Sequence, residues 1–448
     1  MKKFAKLCTA ILVLFAVLTV SALAAEVLHS GTCGGEGDGS NLTWTLDDEG
    51  TLRIEGNGEM EHYSSYSSIP WYNYRSLIKS AVIGKGVTSI GGSAFSYCSS
   101  LTSVTIPEGV TSIGNSAFYG CSSLTSVTIS SSVTSIGGSA FYGCSSLTSV
   151  IIPSSVTSIG DFAFYNCSSL TSVTIPEGVT SIGPCAFYNC SSLTAVTIPL
   201  SMRYIDYEAF CRCSSLISVT ISEGMWKIGS EAFRYCSSLT SVTIPKSVTS
   251  IGDLAFDCCR SLTSVTIPEG VWKIEDSVFS YCSSLTSVII LEGVTSIGSR
   301  AFYNCSLTSV TIPESVTSIK DWAFSGCTNL KDVYYPGTEE EWKNIFIGSN
   351  NYCLTDATIH YNATVLTPSV TRTADGTVYK VSAANLPVSS VVVVALYKDG
   401  RFVGYESAVY NGETLEIAAD TPHDTATILA WSDLEKLIPL APGTKIGS

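Results

Sequence analysis

Charge is scarce in this chain. Only 14% of its 448 residues are Asp, Glu, Lys or Arg, against about 25% in an ordinary soluble domain. Bases are the rarer sign: 24 Lys and Arg face 38 acids, for a formal net charge of −14. Nucleic-acid phosphates are held by clustered cations, so that class of partner is excluded. Four histidines leave few general bases and few nitrogen ligands for a metal. No G-x-S-x-G elbow and no Cys-x-x-Cys pair occurs, and His423-Asp424 beside scattered serines is a neighbourhood rather than the geometry of a triad. The expectation is a protein that is no enzyme and needs no cofactor or metal.

Long apolar runs are also few. Lys2, Lys3 and Lys6 precede the run Ile11 to Val20, and Ala22-Leu23-Ala24 follows with small residues. This is the layout of a signal peptide, 1–24. The run is shorter than the ~20 residues that span a bilayer. The mature chain is therefore expected outside a bacterial cell, secreted or at its surface, without membrane insertion.

What the chain has in plenty is repetition. From about residue 81 it recurs with a period of 23, one copy being IPEGVTSIGNSAFYGCSSLTSVT, 106–128. Phenylalanine marks the copies: Phe95, Phe118, Phe141, Phe164, Phe187, Phe210, Phe233, Phe256, Phe279, Phe302 and Phe324, eleven in all. Such a period signals a solenoid, in which each copy buries its apolar edge on its neighbours. Leu101, Val104 and Ile106 have strand alternation facing inward, Pro107 ends the ladder, and Val110 and Ile113 turn inward again around Thr111-Ser112. Ala117, Phe118 and Cys121 then fall at helical spacing, which predicts a single helical turn. Eleven copies at the spacing of adjacent strands make a rod about 50 Å long.

The string IPxxVTSIGxxAFxxCxxLTSVTIP resembles the BspA-like, or Treponema-type, leucine-rich repeat family of bacterial surface proteins. The resemblance implies an α/β solenoid, strand-rich with single helical turns, and a role in adhesion or partner recognition. It carries over no catalytic residue.

The flanks read as caps. Residues 25–80 are expected to hold a β-hairpin, Leu42 to Leu46 and Thr51 to Ile54, followed by a degenerate first repeat around Ile69-Pro70-Trp71. The solenoid proper is 81–335. A C-terminal cap, 336–364, opens with the capping box Thr338 to Glu341 and closes with a strand at Ala357 to Tyr361. Residues 365–448 alternate in ordinary strands, with a hairpin signal at Asp399-Gly400, and are expected to form a small all-β immunoglobulin-like sandwich.

The chain has 17 cysteines. Eleven hold one repeat position, Cys98 to Cys327, and Cys8 leaves with the leader. Stacked in a line, the eleven do not converge on one ion as zinc would demand. They read as buried free thiols. Cys211 with Cys213, and Cys258 beside Cys259, read as incidental substitutions. An exported protein with unpaired thiols points to an anaerobic habitat, since export ordinarily favours disulfides. Gly34 to Gly39 with its acids reads as a solvated acidic face, not a calcium loop.

The candidate binding residues lie in the Val-x-x-Ile strand, whose middle pair points outward. Most copies keep Thr-Ser there; four successive copies carry Arg203-Tyr204, Trp226-Lys227, Thr249-Ser250 and Trp272-Lys273. Tryptophan beside a cation is the composition of binding hot spots and sugar platforms. Either this strip receives a host or neighbouring-cell protein or glycan, or a repeated face has simply drifted. A second face is uncharged, because residues 109–160 contain no Asp, Glu, Lys or Arg. Its Ser and Thr array beside Tyr119, Tyr142, Tyr165 and Tyr188 either binds a polymer or keeps a β surface soluble; ice is a further alternative. Adhesion is the leading reading and a structural spacer the other.

Overall fold

A computed structural model describes residues 25–363 and, beyond them, the backbone of seven strands between 365 and 447. The segment 1–24, the Asp399-Gly400 turn and His423-Asp424 lie outside the described residues. Among the described residues no helix is long and apolar enough to cross a membrane.

The chain enters through three antiparallel strands, β1 (Val27–Thr32), β2 (Leu42–Asp47) and β3 (Thr51–Gly56). Period-two alternation buries Leu42, Trp44, Leu46, Leu52 and Ile54. The edge strand β1 has no buried residue, hence no apolar alternation to announce it. β3 then pairs in parallel with Ser80–Ile83, placing Ile54 opposite Ile83, so the hairpin hands its sheet to the first repeat strand. Trp71 fills the degenerate repeat: its ring lies 5.8 Å from that of Phe95, and its indole N–H donates to the Ala94 carbonyl at 2.8 Å.

Each repeat then makes three sides. One is a strand such as Ser103–Ile106, the next a short strand such as Ser112–Ile113, and the third a series of turns. Both strand types pair in parallel one period on, Val104 with Val127 and Ile113 with Ile136. Val104, Ile106, Val110, Ile113 and Leu124 are buried, so the inward faces form one continuous core.

The third side corrects the expected helical turn. The backbone around Ala117 and Phe118 winds no helix. Instead Ser116 and Gly120 are left-handed, with φ of 57° and 69°. Every second N–H goes to the next repeat: Ser116 N–H reaches Gly138 O at 2.8 Å, Phe118 reaches Ala140 at 2.7 Å and Gly120 reaches Tyr142 at 2.7 Å. The intervening N–H groups of Ala117, Tyr119 and Cys121 close back three residues, on Gly114, Ser116 and Phe118. A right-handed turn would aim all its N–H groups along one axis and leave neighbouring repeats unjoined on this side. The spacing of Ala117, Phe118 and Cys121 suits both conformations, which is why spacing alone points to a helix.

Inside, the eleven phenylalanines stack, with consecutive ring centroids 5.0–5.6 Å apart and planes within 21°. Offset stacking adds to the burial of so large a ring. The cysteine file lies beside it. One copy is a residue short, since a single Ser306 separates Cys305 from Leu307. The loss is absorbed in that loop: Cys327 Sγ still donates to Phe302 O at 3.1 Å, as its equivalents do elsewhere.

At the far end α1 (Glu339–Trp342) is held by a capping box. Thr338 Oγ1 accepts the Glu341 N–H, and the Glu341 carboxylate accepts the Thr338 N–H at 2.7 Å. Trp342 is buried against Tyr335, 5.2 Å away edge to face. Phe346–Ile347 pairs in parallel with Ser318–Ile319 and Thr358–His360 with Asp332–Tyr334, adding one strand to each side. Past residue 364, Val365–Thr373, Gly376–Ala384 and Leu415–Ala419 form one antiparallel sheet, and Arg401–Val409, Val391–Lys398, Thr425–Trp431 and Thr444–Gly447 another.

Candidate functional site

The Trp and Lys strip is built by burial on either side of it. Met225 and Ile228, like Val271 and Ile274, are anchored in the core, so the two residues between each pair face out. Trp226 is 48% exposed and Trp272 61%. Arg203 and Lys227 are exposed, while Tyr204 and Lys273 are half-buried. Register joins three of the four copies, Tyr204 lying opposite Lys227 and Lys227 opposite Ser250, while Lys273–Ile274 opens a separate sheet. The Trp226 carbonyl accepts both the Thr249 N–H at 2.9 Å and the Thr249 hydroxyl at 3.2 Å, which fixes the backbone beneath the indole. Neither tryptophan has a ring partner among the described residues, so about half of each indole meets water.

The cations differ. The Lys273 ammonium pairs with the Glu275 carboxylate, and that hydrogen bond, ahead of other influences, raises its pKa. Arg203 Nη1 donates to the Gly224 carbonyl at 3.4 Å. Lys227 has no carboxylate within ion-pair distance among the described residues. Two open indoles and one free ammonium on the same side of the solenoid can stack on a flat or C–H-bearing surface and hold an acceptor between them.

The hydroxyl face is largely occupied with its own backbone. Thr125 donates to Thr102 O at 3.0 Å and Thr134 to Thr111 O at 3.1 Å, one repeat back in each case. The outward file of Thr105 and Thr128 is interrupted by Ile151, which is 78% exposed. The tyrosines form a file of their own: Tyr119, Tyr142, Tyr165 and Tyr188 stack at 4.6 Å with planes within 8°. Their faces cover one another, so only edges and hydroxyls are open. Burial, then neighbouring phenols, push the hydroxyls of Tyr119 and Tyr165 up to about 12.

One cluster escaped the sequence reading. Glu208, Cys211 and Glu231 place a ligand atom each within 4.8 Å of one another. The carboxylates are engaged: Tyr207 donates to Glu208 at 2.9 Å, the Cys185 thiol to Glu208 at 3.2 Å, and Arg234 to Glu231 at 2.8 Å and Asp257 at 2.9 Å. The signal available was acid at equivalent positions, 208 and 231, in consecutive copies. Burial, with Glu208 nearby, pushes both Cys185 and Cys211 up to about 12, so the thiols stay protonated. The eleven ladder thiols are likewise buried and unpaired.

The chain matches the family described as BspA type leucine rich repeat region (6 copies) over residues 70–168, 134–262 and 249–370. No curated protein matches it. Among solved structures, it is similar to a leucine rich cell surface protein from Faecalibacterium prausnitzii, at 30% identity and a TM-score of 0.41, covering 72% of this chain and 99% of that one. It is similar also to a leucine-rich repeat protein from Bacteroides ovatus, with 24% identity, TM-score 0.51 and 72% and 98% of the two chains. A third, from Eubacterium ventriosum, shares 25% identity at TM-score 0.48 over 78% and 100%.

Proposed function

The chain belongs to the BspA-type leucine-rich repeat family, and on that footing we propose that it is an exported adhesion protein of a bacterial surface. In this reading residues 1–24 direct export, 25–80 and 336–364 cap the solenoid 81–335, and 365–448 form an immunoglobulin-like sandwich. Arg203, Tyr204, Trp226, Lys227, Trp272 and Lys273 receive a protein or glycan of a host or neighbouring cell. The observation that supports this most is the pair of half-exposed indoles two repeats apart on a strand face whose other copies, apart from Arg203-Tyr204, carry Thr-Ser. Aromatic side chains left open on a rigid surface are characteristic of binding hot spots. The unpaired cysteine file supports an anaerobic habitat.

An array of host matrix proteins and glycans probed with the purified full chain tests the proposal. Binding that competes with the Trp226→Ala, Trp272→Ala double variant as weakly as with buffer supports it. Silence across the array favours a spacer that merely holds the C-terminal strands away from the cell.

A further inference from the structure

The entry end of the solenoid carries a cavity of about 610 Å³ lined by Tyr66, Tyr72, Asn73, Arg75, Tyr97 and Ser99, among others. Its size falls in the ~300–1,000 Å³ range of small-ligand pockets. Two walls are aromatic. The rings of Tyr66 and Tyr97 meet edge to face, centroids 5.1 Å apart and planes at 83°, so they enclose a corner instead of covering each other. Tyr66 is 40% exposed and Tyr97 42%. Tyr97 occupies the second left-handed position of its repeat, at φ 60°, where the next two copies carry Gly120 and Gly143. A large ring there is held against its backbone preference.

The floor is cationic. The Arg75 guanidinium lies 4.1 Å over the Tyr72 ring, and its Nη1 donates to the Tyr72 carbonyl at 2.7 Å. These contacts pin the planar head, which is half-buried. No carboxylate lies within 4.0 Å of it among the described residues, in a chain with 14 more acids than bases. A pinned guanidinium with free N–H groups is built for a planar oxyanion. Asn73, Ser76 and Ser99 add uncharged hydrogen-bonding groups, and no aliphatic side chain lines the cavity.

We propose that this cavity binds an acidic saccharide, its carboxylate on Arg75 and its ring C–H face on Tyr66 and Tyr97. An acidic peptide fits less well, because the walls offer neither an apolar anchor pocket nor a free strand edge. The site is separate from the Trp226 and Trp272 strip, several repeats away, and stands or falls independently of it.

Calorimetric titration of the full chain with trigalacturonate and with sialyllactose tests this, each against an uncharged counterpart, the methyl-esterified trisaccharide and lactose. At least one acid should bind on the order of tenfold more tightly than its counterpart, the scale of a charge-assisted hydrogen-bond pair. Arg75→Gln should abolish that preference, and Arg75→Lys should recover part of it. Tyr97→Gly, which relaxes the backbone, should weaken binding while leaving the melting temperature unchanged or higher. The Trp226→Ala, Trp272→Ala double variant should bind with unchanged affinity whichever acid the parent chain binds. Absence of binding by both acids, equal binding of acid and uncharged forms, or unchanged affinity in a folded Arg75→Gln protein would each overturn the proposal.

Discussion

The Cys121 thiol donates to the Phe95 carbonyl of the preceding repeat, at 3.1 Å. The same bond recurs along the file, as from Cys190 to Phe164 and Cys213 to Phe187, both at 3.3 Å. Each of these thiols is thus a small core side chain that adds a second hydrogen bond to a carbonyl already accepting the backbone N–H three residues on, as Phe95 O does from Cys98. Burial pushes the thiols of Cys98 and Cys144 up to about 12, so at pH 8 the reactive thiolate is nearly absent. A thiol reagent on native protein should label Cys353, which alone among the described cysteines is not buried. After denaturation it should label all sixteen. Ordered oxidation of ladder pairs in air-exposed native protein would contradict the arrangement.

Truncating the stack should be costly. Phe210 lies between Phe187 and Phe233, 5.3 and 5.6 Å from their centroids, with no exposure. Phe210→Ala should lose about 3–5 kcal/mol, read from denaturant midpoints. Phe210→Leu should lose distinctly less, because it keeps most of the volume.

The left-handed residues make a test of the turn side. Asn166, at φ 58°, also accepts the Asn189 amide at 2.9 Å. Asn166→Gly should change stability by less than about 1 kcal/mol, whereas Asn166→Val should cost about 1–2 kcal/mol through the left-handed penalty. If both variants melt alike, backbone hand is not what this position selects.

The tyrosine file makes the protein sensitive to base. Tyr119 and Tyr165 rise from the ordinary 10.0 to about 12 on folding. A pKa raised in the folded state contributes stability that is full below pH 10 and is lost as pH climbs toward 12. Ladder thiols, raised from 9.0, act in the same direction. The melting temperature should therefore fall steeply between pH 10 and 12, with phenolate absorbance appearing late. Tyr165→Phe should shift the onset of that absorbance without altering the melting temperature at pH 7 greatly.

Removing both exposed indoles should leave the fold alone. Trp226→Ala with Trp272→Ala deletes side chains that touch no ring, so the melting curve should move by no more than about 1 kcal/mol equivalent. Binding to any target that the parent chain captures on the array should fall at least tenfold. A large loss of stability would mean that the indoles pack on the rod.

Much of this was legible in the sequence because burial in a repeat is read out eleven times. Val104, Ile106, Val110 and Ile113 show their inward direction by alternation, and the cysteine file shows its linear geometry by period. The hand of the backbone was not legible. Positions 162, 254 and 322 are left-handed yet hold Phe, Leu and Trp, residues that ordinarily signal the opposite hand, because interrepeat hydrogen bonds override local preference. β1 was missed since it buries nothing. The Glu208, Cys211 and Glu231 cluster, and the corner made by Tyr66, Arg75 and Tyr97, depend on side chains brought together across repeats or from outside them, which no single copy announces.

The hydrogen bonds between repeats have a consequence for heredity. Because Ser116 meets Gly138 as Ser139 meets Asp161, at 2.8 and 2.7 Å, excision of 23 consecutive residues among the 23-residue copies joins two backbone points with equivalent neighbours. Any unequal exchange between coding segments one period apart would give a shorter or longer rod that still closes its ladder. Length is then a variable the cell lineage can alter by recombination while composition and caps stay fixed. The distance between the two ends of the molecule, including that from the Arg75 corner to the terminal strands, can change in whole steps without passing through an unfolded intermediate design.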